Sequence, residues 1–148
     1  MDDYTKFDFD GIAHIGIIFL DGDALEDILI DAYGPTDYNF LNFNKCKEVL
    51  IKMERLNSNY KFSAFLWQKR PDNPNIVVPV VAGRQLPLTG WLKIEMTQAM
   101  RRAYNGEWGV KDQRQGGCHS YYYPVKNSNA EIVGILEILS GGAEIVDI

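Results

Sequence analysis

Nucleophile and base residue types stand side by side at Cys118, His119 and Ser120. A thiol or hydroxyl is activated only by a base within hydrogen-bond reach. Successive residues of a strand point to opposite faces, so Cys118 and His119 would not meet there. No catalytic carboxylate pair and no metal-ligand spacing is apparent. The two histidines, His14 and His119, are too few for a histidine-rich metal centre. Cys46 and Cys118 form no CxxC and indicate no disulfide framework. On these grounds the chain reads as a non-enzyme that needs no cofactor. Glu137 asks for chemistry of another kind. It lies in Ile132 to Leu139, a β-rich run that is apolar on both faces and so reads as covered on both sides. A buried carboxylate there needs a partner or takes up a proton. Three readings stay open: Glu137 reaches solvent where the strand frays, it pairs with a structural Arg, or it lines a pocket and grips an amine or hydroxyl.

The elements that must hold such residues follow from the apolar spacing. Ser120 to Val125 and Ile132 to Leu139, joined by the polar turn formers Lys126 to Ala130, read as a β-hairpin. Pro124 suits an edge or bulge, and Gly134 leaves room for a neighbouring backbone or a ligand. Towards the N-terminus, residues 1–10 read as a frayed start. Ile12 to Leu20 reads as a strand carrying His14 at a core or edge position. Asp23 with Glu26 reads as a capping box for a helix that stops at Gly34 and Pro35. Thr36 to Phe43 reads as a loop. A second helix runs from about Lys45 to Leu56 and buries Cys46, Val49, Leu50 and Met53. Tyr60 to Lys69 and Ile76 to Ala82 make a second hairpin. Arg84 and Gln85 fall in the next loop, and Thr89 is placed to cap a helix running to about Tyr104. Trp108 to Gln113 reads as a short strand. Strand, helix, helix, two strands, helix and three strands make an α+β domain, an antiparallel sheet with helices packed on it.

Composition limits the function classes. The 148 residues suit one domain with a proper core. A formal net charge of −5, with Lys and Arg scattered, argues against a nucleic-acid partner. No apolar run approaches the roughly 20 residues that span a bilayer. Four aspartates before residue 11 are the wrong charge for a signal peptide. The chain is therefore expected to be either a whole cytoplasmic protein or an excised piece of a larger, extracytoplasmic receptor. A homodimer stays open.

The second half resembles the Cache sensor domains, a PAS-like group of bacterial receptors. The residues that carry this are the strands at 60–82, the helix ending Ala103-Tyr104-Asn105-Gly106, and Trp108-Gly109-Val110. They continue in Ser120-Tyr121-Tyr122-Tyr123-Pro124-Val125 and Glu131-Ile132-Val133-Gly134-Ile135-Leu136-Glu137-Ile138. The likeness covers about residues 57–140. In place of the family's long N-terminal helix stand a strand and two helices, and the full aromatic-Arg-Asp signature of the amino-acid-binding members is missing. The resemblance implies a five- to six-stranded PAS/Cache-like sheet and a small-molecule sensor in signal transduction. Its ligand would be a carboxylate, amino acid or amine held beside the helix at 89–104. The expected site is Trp67, Arg84, Trp91, Met96, Tyr121, Tyr123 and Glu137. Arg84 would fork onto a carboxylate. Trp67 and Trp91 would wall the pocket or cage a cation. Tyr121 and Tyr123 would donate hydroxyls from one strand face. Each of these also suits a plain core position with its polar tip at the rim. A profilin-like or roadblock-like scaffold that binds partner proteins without a ligand is the alternative.

Overall fold

The computed structural model describes residues 2–33, 40–56, 62–83, 94–113 and 117–140. Three helices come first, α1 (Asp2–Phe19), α2 (Gly22–Tyr33) and α3 (Phe40–Arg55). Then follow β1 (Phe62–Arg70), β2 (Asn73–Ala82), β3 (Ile94–Glu95), α4 (Gln98–Tyr104), β4 (Val110–Gln113), β5 (His119–Lys126) and β6 (Ile132–Ser140). The strands form one six-stranded sheet in the order β3-β2-β1-β6-β5-β4. Every neighbouring pair is antiparallel. This is the α+β architecture the sequence implies.

The sheet is covered on both faces. One face packs Phe62, Ala64, Leu66, Tyr121, Tyr123, Leu136 and Ile138 against apolar side chains of α1, α2 and α3. The other packs Trp67, Val77, Tyr122 and Ile135 against Met96 and the α4 residues Ala99, Met100 and Ala103. Burial on both sides explains why β6 is apolar on alternate and intervening positions alike.

The first element departs from its sequence reading. Ile12 to Phe19 is helical, not a strand, and residues 2–10 belong to the same helix. Phe9, Ile12, Ala13 and Leu20 are buried at helical spacing. Ile15, Ile18 and Phe19 add a second apolar stripe on the outside, which hides that period behind a continuous β-branched run. His14 is accordingly exposed on α1, not in the core or at a sheet edge, and its ring lies 5.8 Å from that of Trp108.

Two helix starts also move. α2 is capped by Asp21, whose carboxylate accepts from the Ala24 N–H at 3.1 Å. Asp23 turns instead to the β5–β6 turn and accepts from the N–H and hydroxyl of Ser128, which hold its carboxyl below the usual carboxylate range. α4 is capped by Thr97, whose hydroxyl accepts from the Met100 N–H at 3.2 Å. The two residues before Met96, Ile94 and Glu95, extend and pair with Val77 and Ile76. Thr89 and the residues around it lie outside the described segments. α3 begins at Phe40, so Phe40 to Phe43 are helical and not loop.

Cys46 is fully buried in α3, as a small core residue should be. Burial, reinforced by nearby Asp21, pushes its thiol up to about 12. We therefore expect the native protein to yield at most one thiol per chain to an aromatic disulfide reagent at neutral pH, and two in denaturant. Two fast thiols in the native state would mean that α3 opens.

Candidate functional site

The buried polar group nearest to chemistry lies at the centre of the sheet. In β6, Glu137 pairs with Phe65 of β1 on one side and with Tyr122 of β5 on the other. Two residues along in each neighbour stand Trp67 and Ser120, on the same face as Glu137. Long side chains reach such diagonal neighbours. The Trp67 indole N–H donates to Glu137 Oε1 at 2.7 Å, and the Ser120 hydroxyl donates to Oε2 at 2.5 Å. Glu137 is 2% exposed and Ser120 is fully enclosed. Glu137 therefore does not reach solvent, and each of its oxygens is held by a fixed neutral donor.

The surroundings are aromatic and apolar. Tyr122, Ile135, Met96 and Met100 share this side of the sheet with Trp67, and Phe65 and Tyr104 pack against them. Burial raises the Tyr104 phenol above its ordinary value, and the Lys69 ammonium lies 4.4 Å from the Tyr104 ring centre. Such a setting strengthens any electrostatic contact made to Glu137.

The expected site residues do not gather in one hollow. Trp67, Met96 and Glu137 lie on the α4 side of the sheet, while Tyr121 and Tyr123 lie on the other side, among side chains of α1 to α3. The Tyr123 hydroxyl donates to Asp10 Oδ1 of α1 at 2.8 Å, and burial together with that carboxylate raises its phenol. Trp108 stands edge-on to Tyr123 with ring centres 4.8 Å apart, and Phe9 lies 5.8 Å from Tyr121. The hairpin register is the physical reason. Tyr122 pairs with Glu137, so Ser120 and Tyr122 share its face, and Tyr121 and Tyr123 alternate away from it. Arg84 and Trp91 lie outside the described residues.

Ser120 and Tyr122 are the neighbours of Glu137 that sequence reasoning missed. Counting the hairpin register outward from its turn is the signal that finds them, but a bulge between Val125 and Lys126 shifts that count. Gly134 does leave room for a neighbouring backbone: a Cβ there would lie 2.8 Å from the Trp67 carbonyl oxygen and 2.9 Å from Leu25 of α2. Among the described residues no three His, Cys, Asp or Glu side chains are grouped to hold a metal ion. No described helix is long and apolar enough to cross a membrane.

No family model matches the chain, and no curated protein does. Among solved structures it is similar to a GAF domain at 12% identity and a TM-score of 0.45, over 86% of this chain and 80% of that one. It is likewise similar to the A. aeolicus nlh2 GAF domain in an inactive state, at 15% identity and a TM-score of 0.45, over 88% of this chain and 83% of that one. Both neighbours are GAF domains, whereas the sequence resemblance is to Cache domains.

Proposed function

We propose that this chain is a small-molecule-binding sensor domain of PAS-like or Cache-like type that acts in signal transduction and performs no chemistry of its own. The ligand would dock on the α4 side of the sheet, with an amine or amino acid favoured over a simple carboxylate. The carrying observation is the carboxylate of Glu137, buried in an aromatic face and held by Trp67 and Ser120. A carboxylate oxygen accepts more than one hydrogen bond, so an ammonium can join the donors that hold Glu137. Nearby aromatic faces suit the same ligand charge.

Thermal denaturation across a panel of amines, amino acids and organic acids tests this reading. At least one ammonium-bearing compound is expected to raise the melting temperature, and saturation at 100 times Kd stabilises by about 2.7 kcal/mol. Glu137→Gln should remove that shift. No shift with any compound would overturn the sensory reading. It would favour the protein-interaction scaffold, for which the exposed apolar stripe of α1 is the supporting observation.

A further inference from the structure

Trp108 is turned against the alternation of the strand it leads into. Val110, which opens β4, packs on the α4 side of the sheet. In extended chain a residue two places earlier would share that side. Trp108 instead meets Tyr123 and His14, on the side of α1. Gly109 between them has φ +70°, which breaks the alternation and which a side chain would make unfavourable. The turn before it is tied to the end of α4. The Gly106 N–H donates to the Ala103 carbonyl at 2.9 Å, the Glu107 N–H to the Arg102 carbonyl at 3.1 Å, and the Arg102 guanidinium holds the Glu107 carboxylate at 2.6 Å. The large ring set on this base is still 38% exposed.

Three further groups stand around it. The His14 ring lies 5.8 Å away at 75°, and the Tyr123 ring 4.8 Å away at 65°. Steep contacts leave open ring faces that stacking would cover, and a ring face attracts a cation. Asp10, half-buried one turn before His14 on α1, brings a carboxylate to the same place, where its Oδ1 accepts the Tyr123 hydroxyl at 2.8 Å. Burial and that carboxylate keep the Tyr123 phenol protonated, so the negative charge stays on Asp10.

We propose that Asp10, His14, Trp108 and Tyr123 form a binding corner for an N-methylated ammonium group, carried by a free quaternary amine or by a methylated lysine side chain. An anion beside three aromatic rings is the composition that recognises an organic cation. A primary ammonium brings three N–H donors, and the corner answers them with one carboxylate. A quaternary ammonium brings none and spreads its charge over methyl groups that pack against rings. The corner lies on the opposite side of the sheet from Glu137, so it does not rest on the ligand reading given for that residue.

A magnetic-resonance titration of the isotope-labelled whole chain with choline tests it. The Trp108 indole and Gly109 amide signals should move together and saturate with a Kd of about 1 mM. The neutral carbon isostere of choline should bind at least about 10-fold more weakly, and so should choline to Trp108→Leu, followed at the Gly109 amide. Asp10→Asn leaves the Tyr123 hydroxyl an acceptor and removes only the charge, so it should weaken binding about 5-fold. Far-UV circular dichroism should be unchanged in both variants. Glu137→Gln should leave the Trp108 response intact. A peptide bearing trimethyl-lysine separates the two sources: tighter binding than choline supports a protein-borne group, weaker binding a free amine. Trp108 and Gly109 signals that stay still at about 20 mM choline, or that answer the neutral isostere equally, would overturn the proposal. Movement of the Trp67 indole alone, abolished by Glu137→Gln, would also overturn it while supporting a ligand at Glu137.

Discussion

Gly22→Ala is expected to destabilise the domain by about 3 kcal/mol, at the upper end for overpacking a tight site. A Cβ on Gly22 would fall 1.9 Å from the Lys126 carbonyl oxygen, 2.6 Å from its carbon and 2.9 Å from the Asn127 Cα. All three are backbone atoms, so no side chain can swing aside. The contact is the seat of α2 on the β5–β6 turn. That seat is closed by Ser128 on Asp23, at 3.0 and 3.1 Å, and by the Asn127 amide, which donates to Glu131 at 3.0 Å and Glu26 at 3.3 Å. Making room means lifting the first turn of α2 or displacing the hairpin turn. Either movement loosens Leu25, which is fully buried and fits over Gly134. Urea denaturation should show the loss as a lower midpoint with little change in slope. Heating should show it as a drop of about 10 °C, at roughly 2–4 °C per kcal/mol for a chain of this size. A loss below about 0.5 kcal/mol, the range of ordinary surface changes, would mean that α2 is not seated on the turn as described.

The same seat shows what the sequence could reveal and what it could not. Local patterns located the two hairpins. β5 spans His119–Lys126 against an expected Ser120 to Val125, and β6 spans Ile132–Ser140 against Ile132 to Leu139. Turn formers and β-branched runs act over a few residues and are read locally. α2 was legible as a helix from its acidic start, but its cap was assigned to Asp23 where Asp21 performs it. Two acids two residues apart compete for that role, and the turn at Ser128, over 100 residues away, settles the competition. α1 was misread because Ile15, Ile18 and Phe19, exposed on its outer side, fill in the spacing of its buried residues. In the candidate site, Glu137 was conspicuous as a carboxylate among aliphatic residues. Its donors were not, because Trp67 and Ser120 reach it from two different strands, and only sheet register brings those together.

Glu137→Ala is expected to cost about 2–6 kcal/mol, because two buried donors lose their acceptor. The alanine leaves the Trp67 N–H and the Ser120 O–H facing an apolar side chain, with no acceptor in their former direction. Each stranded buried donor costs about 1–3 kcal/mol. Glu137→Gln should cost only about 1 kcal/mol, the net worth of a typical hydrogen bond. Its carbonyl still accepts from the indole, and its amide can donate to a Ser120 hydroxyl that rotates to accept. Denaturant midpoints of the two variants separate these cases. If the penalty comes from stranded donors and not from lost volume, Trp67→Phe should cost less in the Glu137→Ala background than in the wild type. The coupling expected is about 1–2 kcal/mol, within the usual span for contacting residues. Equal losses for Ala and Gln, with no coupling to Trp67, would show that the carboxylate holds nothing in the free protein. With that coupling present and Glu137→Gln still folded, loss of an amine-induced melting shift in the Gln variant can be assigned to the missing charge. A collapsed sheet would not account for it.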